Sequence, residues 1–187
     1  MKKLPFALMI LVALCFGMTA CFDDENEGIE DEYRDWNKKN QEWLAAQIAL
    51  KDAGGNPFYK KIVAAWDTAS VVYMHWYNDR SKTANNLKPL YSSTVDVKYF
   101  MTNCDGSKTE DSYTRTSPGD SLFRARLNND VIEGWAVAIT QMHVGDSCDI
   151  IVPYNVGYGV RTVNGLNPYS NLKFSVKLVD IPFYETK

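Results

Sequence analysis

The chain carries two histidines and four cysteines, and neither His75 nor His143 has a Cys, an Asp or a second His at ligand spacing. Metal chemistry is therefore not expected. No Gly-x-Ser-x-Gly elbow, phosphate loop or dinucleotide fingerprint occurs, so strained-serine acyl transfer and nucleotide chemistry lack their usual carriers. No cofactor is expected either. What stands out is a set of aromatic residues, Tyr99, Phe123, Trp135 and Phe174, each on the apolar side of a periodic segment. Rings of this kind can grip an apolar group and exclude water without moving a proton, or they can simply fill a core.

The elements that carry these rings are legible from periodicity. From Thr94 to Met101 the chain alternates, with Val95, Val97, Tyr99 and Met101 on one face and Asp96 and Lys98 on the other. Asp105-Gly106 marks a turn, and the chain is expected to return as a hairpin through Thr109 to Tyr113. After Ser117-Pro118-Gly119-Asp120, another turn, Phe123, Ala125 and Leu127 face inward against Arg124 and Arg126. Ile132, Trp135, Ile139 and Met142 recur at helical steps, and Gly145 suits a left-handed C-terminal cap. Strands are expected over Ser70–Tyr77, Cys148–Val152 and Leu172–Leu178, the last with Leu172, Phe174, Val176 and Leu178 together on one face. The stretch through Trp66 reads as a connection, and the segment from Pro153 to Asn171 as a long functional loop.

A chain of 187 residues that is 45% hydrophobic and 23% charged can bury a core. With a pI near 5.4 and no basic run after Lys2-Lys3, it offers no footprint for nucleic acid. A separate helix is expected over Ile29–Leu50, where Ile29, Tyr33, Trp36, Trp43, Leu44 and Ile48 form a stripe that Asn40 interrupts, before Ala53-Gly54-Gly55-Asn56-Pro57 stops it. That stripe suits packing on its own domain, a homodimer seam with a second copy of the chain, or an arm that holds clients.

Lys2 and Lys3, the apolar run Leu4–Phe16 and the mostly small Gly17-Met18-Thr19-Ala20 form a secretion signal. With Cys21 directly after it, the junction resembles the lipobox of bacterial lipoproteins, which implies that Cys21 is the acylated first residue of the mature chain and its membrane anchor. Phe22 to Gly28 reads as an acidic tether, and it also resembles the export signal of surface-exposed lipoproteins. Residues 1–20 are thus the signal peptide, 21–28 the tether, 29–57 a helical segment and 58–187 the main domain. The expected location is the cell envelope, as an outer-membrane lipoprotein facing the periplasm or the surface. Cys104 and Cys148 could pair after export, but two cysteines make no disulfide framework, and small buried thiols are the default.

Four linked motifs then point to a family. Val131-Ile132-Glu133-Gly134-Trp135, Gln141-Met142-His143-Val144-Gly145, Val152-Pro153 with Gly157-Tyr158-Gly159, and Leu172-Lys173-Phe174-Ser175-Val176-Lys177-Leu178 resemble the FKBP-type peptidyl-prolyl isomerases in order and spacing. The resemblance implies an α+β fold, a twisted antiparallel sheet of about five strands wrapped on one short helix, here with an extra N-terminal helix. It implies a proline pocket with Trp135 as floor and Tyr99, Phe123, Val131, Ile132, Leu166 and Phe174 as walls. Tyr158 and the backbone N–H of Ile132 match the groups that hold a substrate carbonyl, and proline-containing polypeptides are the implied partners. Many members carry Phe-Asp after the hairpin turn, where this chain has Thr109-Glu110. One aromatic wall is missing and the acid is one methylene longer, so the resemblance leaves two readings: an isomerase for exported proteins, with weaker turnover, or an FKBP-like binding module or chaperone.

Overall fold

The computed structural model describes residue 28 and residues 31–183. The signal peptide, Cys21, the tether before Gly28 and Ile29 lie outside the described residues.

Helix α1 (Arg34–Ala49) leads into strands β1 (Lys60–Val63), β2 (Val71–Trp76), β3 (Thr94–Thr102), β4 (Lys108–Asp111) and β5 (Phe123–Arg126), followed by helix α2 (Glu133–Ile139), β6 (Ser147–Val152) and β7 (Leu172–Asp180). The seven strands form one antiparallel sheet in the order β1-β2-β6-β7-β3-β4, with β5 also pairing to β3. β3 is the organising strand: β7 covers one edge, while β5 pairs with its first half and β4 with its second. Its alternation holds, with Val95, Val97, Tyr99 and Met101 all buried. β1, read in the sequence as part of a connection, is a four-residue edge strand in which Ile62 is the only buried residue, too short to alternate visibly.

Helix α2 lies across β1, β2 and β6 and buries every residue after Glu133. Its contact with the sheet is close enough to demand glycine: a Cβ on Gly134 would stand 2.5 Å from Val152 Cγ1. The helix is shorter than its periodicity suggests, ending at Thr140 in a right-handed conformation. Gly145, with φ +96°, therefore serves the turn into β6 and is not the helix cap. Met142 remains fully buried beyond the helix end, where Cys148 Sγ donates to its sulfur at 3.6 Å. Cys148 and Cys104 are both buried and unbridged.

That turn is locked by Asp146, which is wholly buried. It accepts from Thr83 Oγ1 at 2.5 Å, Asn78 Nδ2 at 2.9 Å and the His143 N–H at 2.9 Å, with Arg80 Nε at 3.4 Å. Burial acts to raise its pKa, but these donors and the Arg80 charge outweigh it and hold the carboxyl below the ordinary range.

On α1 the single buried residue is Asn40, the polar interruption of the stripe. Ile48, expected on the packing face, is 36% exposed. The reason is that α1 docks on a polar loop end, through Trp36 to Ser170 and through Asn40 to Asn171.

Candidate functional site

Register brings the aromatic residues together. On the inner face of the sheet Phe174 of β7 pairs with Met101, two residues along from Tyr99, while Phe123 of β5 pairs with Val97, two residues the other way. The Tyr99 ring is thereby flanked from two neighbouring strands, at centroid distances of 5.6 Å to Phe123 and 6.2 Å to Phe174. The first turn of α2 drops Trp135 into this frame at 5.0 Å from Tyr99 (87° between planes), 5.3 Å from Phe174 (73°) and 6.0 Å from Phe123 (67°). These edge-to-face contacts set each ring's positive edge against a neighbour's negative face.

The four rings bound a cavity of about 650 Å³ whose rim is Glu110, Asn129, Asp130, Val131, Ile132 and Glu133 on one side and Gly157, Tyr158, Arg161, Val163 and Asn164 on the other. Trp135 Nε1 is buried without a hydrogen-bond partner, a donor held at the base of an otherwise apolar chamber.

One wall carries charge. Tyr99 donates its hydroxyl hydrogen to Glu110 Oε1 at 2.5 Å, and Arg115 Nη2 donates to the same oxygen at 2.8 Å. The Arg115 guanidinium also lies 4.5 Å from the centre of the Phe123 ring, a cation–π contact that joins the ion pair to the aromatic box. Burial pushes the Tyr99 hydroxyl above its ordinary pKa, and the bond to Glu110 adds to this while Arg115 opposes it. Burial likewise raises Tyr158, reinforced by the charge of Glu110 and opposed by Arg161. Both phenols therefore stay protonated near neutral pH and act as donors. Tyr158 makes no hydroxyl hydrogen bond among the described residues.

The structure thus places Tyr99, Glu110, Phe123, Val131, Ile132, Trp135, Tyr158 and Phe174 around one cavity. Leu166 is not on its lining; it is 4% exposed and packs in the core. Val163 and Asn164 take the place assigned to it, because Val163 and Leu166 exchange hydrogen bonds of 3.2 and 2.9 Å across a tight turn. Asn164 and Gly165 at its corners have φ of +50° and +80°. Asn-Gly is the strongest short signal for such a hairpin, and it was available in the sequence. Thr109 also stands off the cavity, its hydroxyl 3.3 Å from the Met101 carbonyl. Arg115 is the residue sequence reasoning missed: it sits in an irregular loop with no periodicity to announce it.

The family model described as FKBP-type peptidyl-prolyl cis-trans isomerase matches residues 86–179, half of the chain. Among curated relatives, the FKBP-type peptidyl-prolyl cis-trans isomerase FkpA of Escherichia coli K12 is 36% identical over 93 residues, covering 50% of this chain and 33% of FkpA. Outer membrane protein MIP of Legionella longbeachae is 32% identical over 95 residues, 50% of this chain and 39% of MIP. The matched stretch is therefore well under half of either relative. A crystal structure of a peptidyl-prolyl cis-trans isomerase from Pseudomonas syringae pv. tomato superposes with a TM-score of 0.62 at 21% identity, covering 80% of this chain and 95% of that one. At that identity the likeness concerns the fold.

Proposed function

We propose, from the premise that this chain belongs to the FKBP-type peptidyl-prolyl cis-trans isomerase family, that it catalyses rotation about X-Pro bonds in exported polypeptides. The observation that carries the reading is the box of Tyr99, Phe123, Trp135 and Phe174, closed on one side by the Glu110–Arg115 pair. An X-Pro amide is planar by resonance, and full peptide-bond rotation faces a barrier of about 18–20 kcal/mol. Twisting breaks the conjugation and leaves a less polar carbonyl, so a water-poor aromatic chamber favours the twisted state over the planar, better solvated one. Proline's ring packs against Trp135, Tyr158 donates to a substrate carbonyl, and the Ile132 N–H supplies a second donor. Glu110 and Arg115 hold the Tyr99 ring in place. No step needs a nucleophile or a proton transfer.

Thr109 favours a second reading. Burying a Phe side chain is worth roughly 1.5–3 kcal/mol, and a wall lost from the transition state slows turnover more than binding, so an FKBP-like binding module or chaperone fits the same cavity. X-Pro isomerisation of a model peptide by the chain from residue 22 onward, beside Trp135→Leu checked for folding by circular dichroism, separates the two. Acceleration that the variant loses supports the isomerase; no acceleration by the folded wild type overturns it and leaves the binding module.

The location follows from the amino terminus: signal peptide, lipidated Cys21 and acidic tether would hold the domain at the outer membrane, facing the periplasm or the surface. The printed name of the Legionella relative, an outer membrane protein, supports that reading.

A further inference from the structure

The loop that carries Tyr158 is not held by the sheet alone. The N–H groups on either side of Tyr158, those of Gly157 and Gly159, both donate to one acceptor, the Tyr154 carbonyl, at 3.0 and 2.9 Å. Whatever fixes Tyr154 therefore fixes the orientation of the Tyr158 side chain at the cavity rim. Tyr154 is fixed through its own N–H, which donates to Asn171 Oδ1 at 2.8 Å. Asn171, wholly buried at the entry to β7, has its other polar groups turned to α1: its backbone N–H donates to Asn40 Oδ1 at 2.8 Å and its Nδ2 to the Asn40 carbonyl at 2.7 Å. Asn40 is itself wholly buried, and its Nδ2 donates to the Trp36 carbonyl at 2.9 Å. A parallel strut runs from Trp36 Nε1 to Ser170 Oγ at 3.0 Å, and from that hydroxyl to the Asn167 carbonyl at 2.7 Å. The Tyr169 N–H returns to the Gly159 carbonyl at 2.9 Å, and the Tyr169 and Tyr154 rings meet edge to face at 5.3 Å.

We infer that α1 is a brace for the substrate-facing loop, and that Asn40 and Asn171 are positioning residues which set the Tyr158 hydroxyl at the cavity rim from outside the pocket. The inference rests on reading Tyr158 as a substrate-facing donor. Two buried asparagines with every side-chain polar atom paired form an unambiguous joint, since each is satisfied only when helix, β7 entry and loop keep one relative placement. An apolar stripe would slide more easily. This also accounts for polar Asn40 lying on the docked face where periodicity would put an apolar residue.

The test is Asn40→Ala in the full chain, with Lys38→Ala, whose side chain is 75% exposed on the same helix, as control. Amide hydrogen exchange at residues 154–159 should accelerate by about ten-fold or more in Asn40→Ala while β3 and β7 keep their protection. KM for an X-Pro peptide should rise by about five-fold with kcat little changed, the pattern of lost substrate orientation. Lys38→Ala should match the wild type in both. Should Asn40→Ala fail to fold, Trp36→Phe, which removes only the bond to Ser170, should show the same pattern in weaker form. Unchanged exchange at 154–159 in a folded Asn40→Ala overturns the brace. A wild-type chain without isomerase activity overturns the functional reading instead, and the exchange result then decides the brace on its own.

Discussion

The contact between α2 and the sheet makes a quantitative prediction at Gly134. A methyl group there would meet Val152 Cγ1 at 2.5 Å, with Val152 Cγ2 at 3.3 Å and the Val156 carbonyl at 3.2 Å. Val152 is fully buried and β-branched, so it cannot swing aside without disturbing its neighbours. Overpacking of this kind costs about 1–3 kcal/mol, offset by up to about 1 kcal/mol of helix propensity gained over glycine. Gly134→Ala should therefore lose about 0–2 kcal/mol. Val152→Ala alone should lose about 2 kcal/mol, from two buried methyl groups and the space they leave. In the double variant the new methyl enters that space, the 2.5 Å contact is gone and the propensity gain returns. The double variant should be at least as stable as Val152→Ala, with a coupling of about 1–3 kcal/mol in its favour. Urea unfolding of the four proteins, with unchanged m-values, measures this directly. Because Trp135 follows Gly134 on the helix, kcat/KM should fall in the Gly134→Ala single variant and recover in the double. Free energies that add within about 0.5 kcal/mol would refute the close approach as the reason for glycine.

Two further outcomes follow from the same geometry. The folded pKa of Asp146 lies below its ordinary value, so its contribution to stability is complete above the unfolded pKa of about 3.9 and is lost as pH falls through the folded one. Asp146→Asn should be less stable than the wild type at pH 7, and the gap should narrow as acid is added, read from denaturant midpoints between pH 7 and pH 2. At the amino terminus, Cys21→Ala should abolish incorporation of labelled palmitate and release the protein from the membrane fraction, whereas an unlabelled wild type would remove the lipid anchor from the proposal.

Much of the site was legible because strand alternation is a local property. Val95, Val97, Tyr99 and Met101 declare their face within eight residues, and a ring on that face must be buried once the strand enters a sheet. Ile132 and Trp135 declare themselves similarly on α2, and the Leu172–Leu178 alternation places Phe174. Local pattern was weaker where a segment is short or irregular. Lys60-Lys61-Ile62-Val63 becomes a strand only because β2 offers it an edge, and the loop holding Arg115 has no period. Leu166 was misplaced although Asn164-Gly165 announced a tight turn: the turn was legible, but not which of its flanking residues would look into the cavity.

The sequence by itself determined which rings face inward, that a short helix would carry Trp135 beneath them, and that the amino terminus is built for export. Those are consequences of side-chain period and composition, which need no partner to be expressed. Only the tertiary structure decided that Glu110 meets the Tyr99 hydroxyl with Arg115 behind it, and that Asn40, an apparent flaw in a helical stripe, is the buried joint between α1 and the loop of Tyr158. A hydrogen bond between residues 131 positions apart leaves no periodic trace in the chain, because the need of a buried polar group for a partner says nothing about which partner the fold will bring.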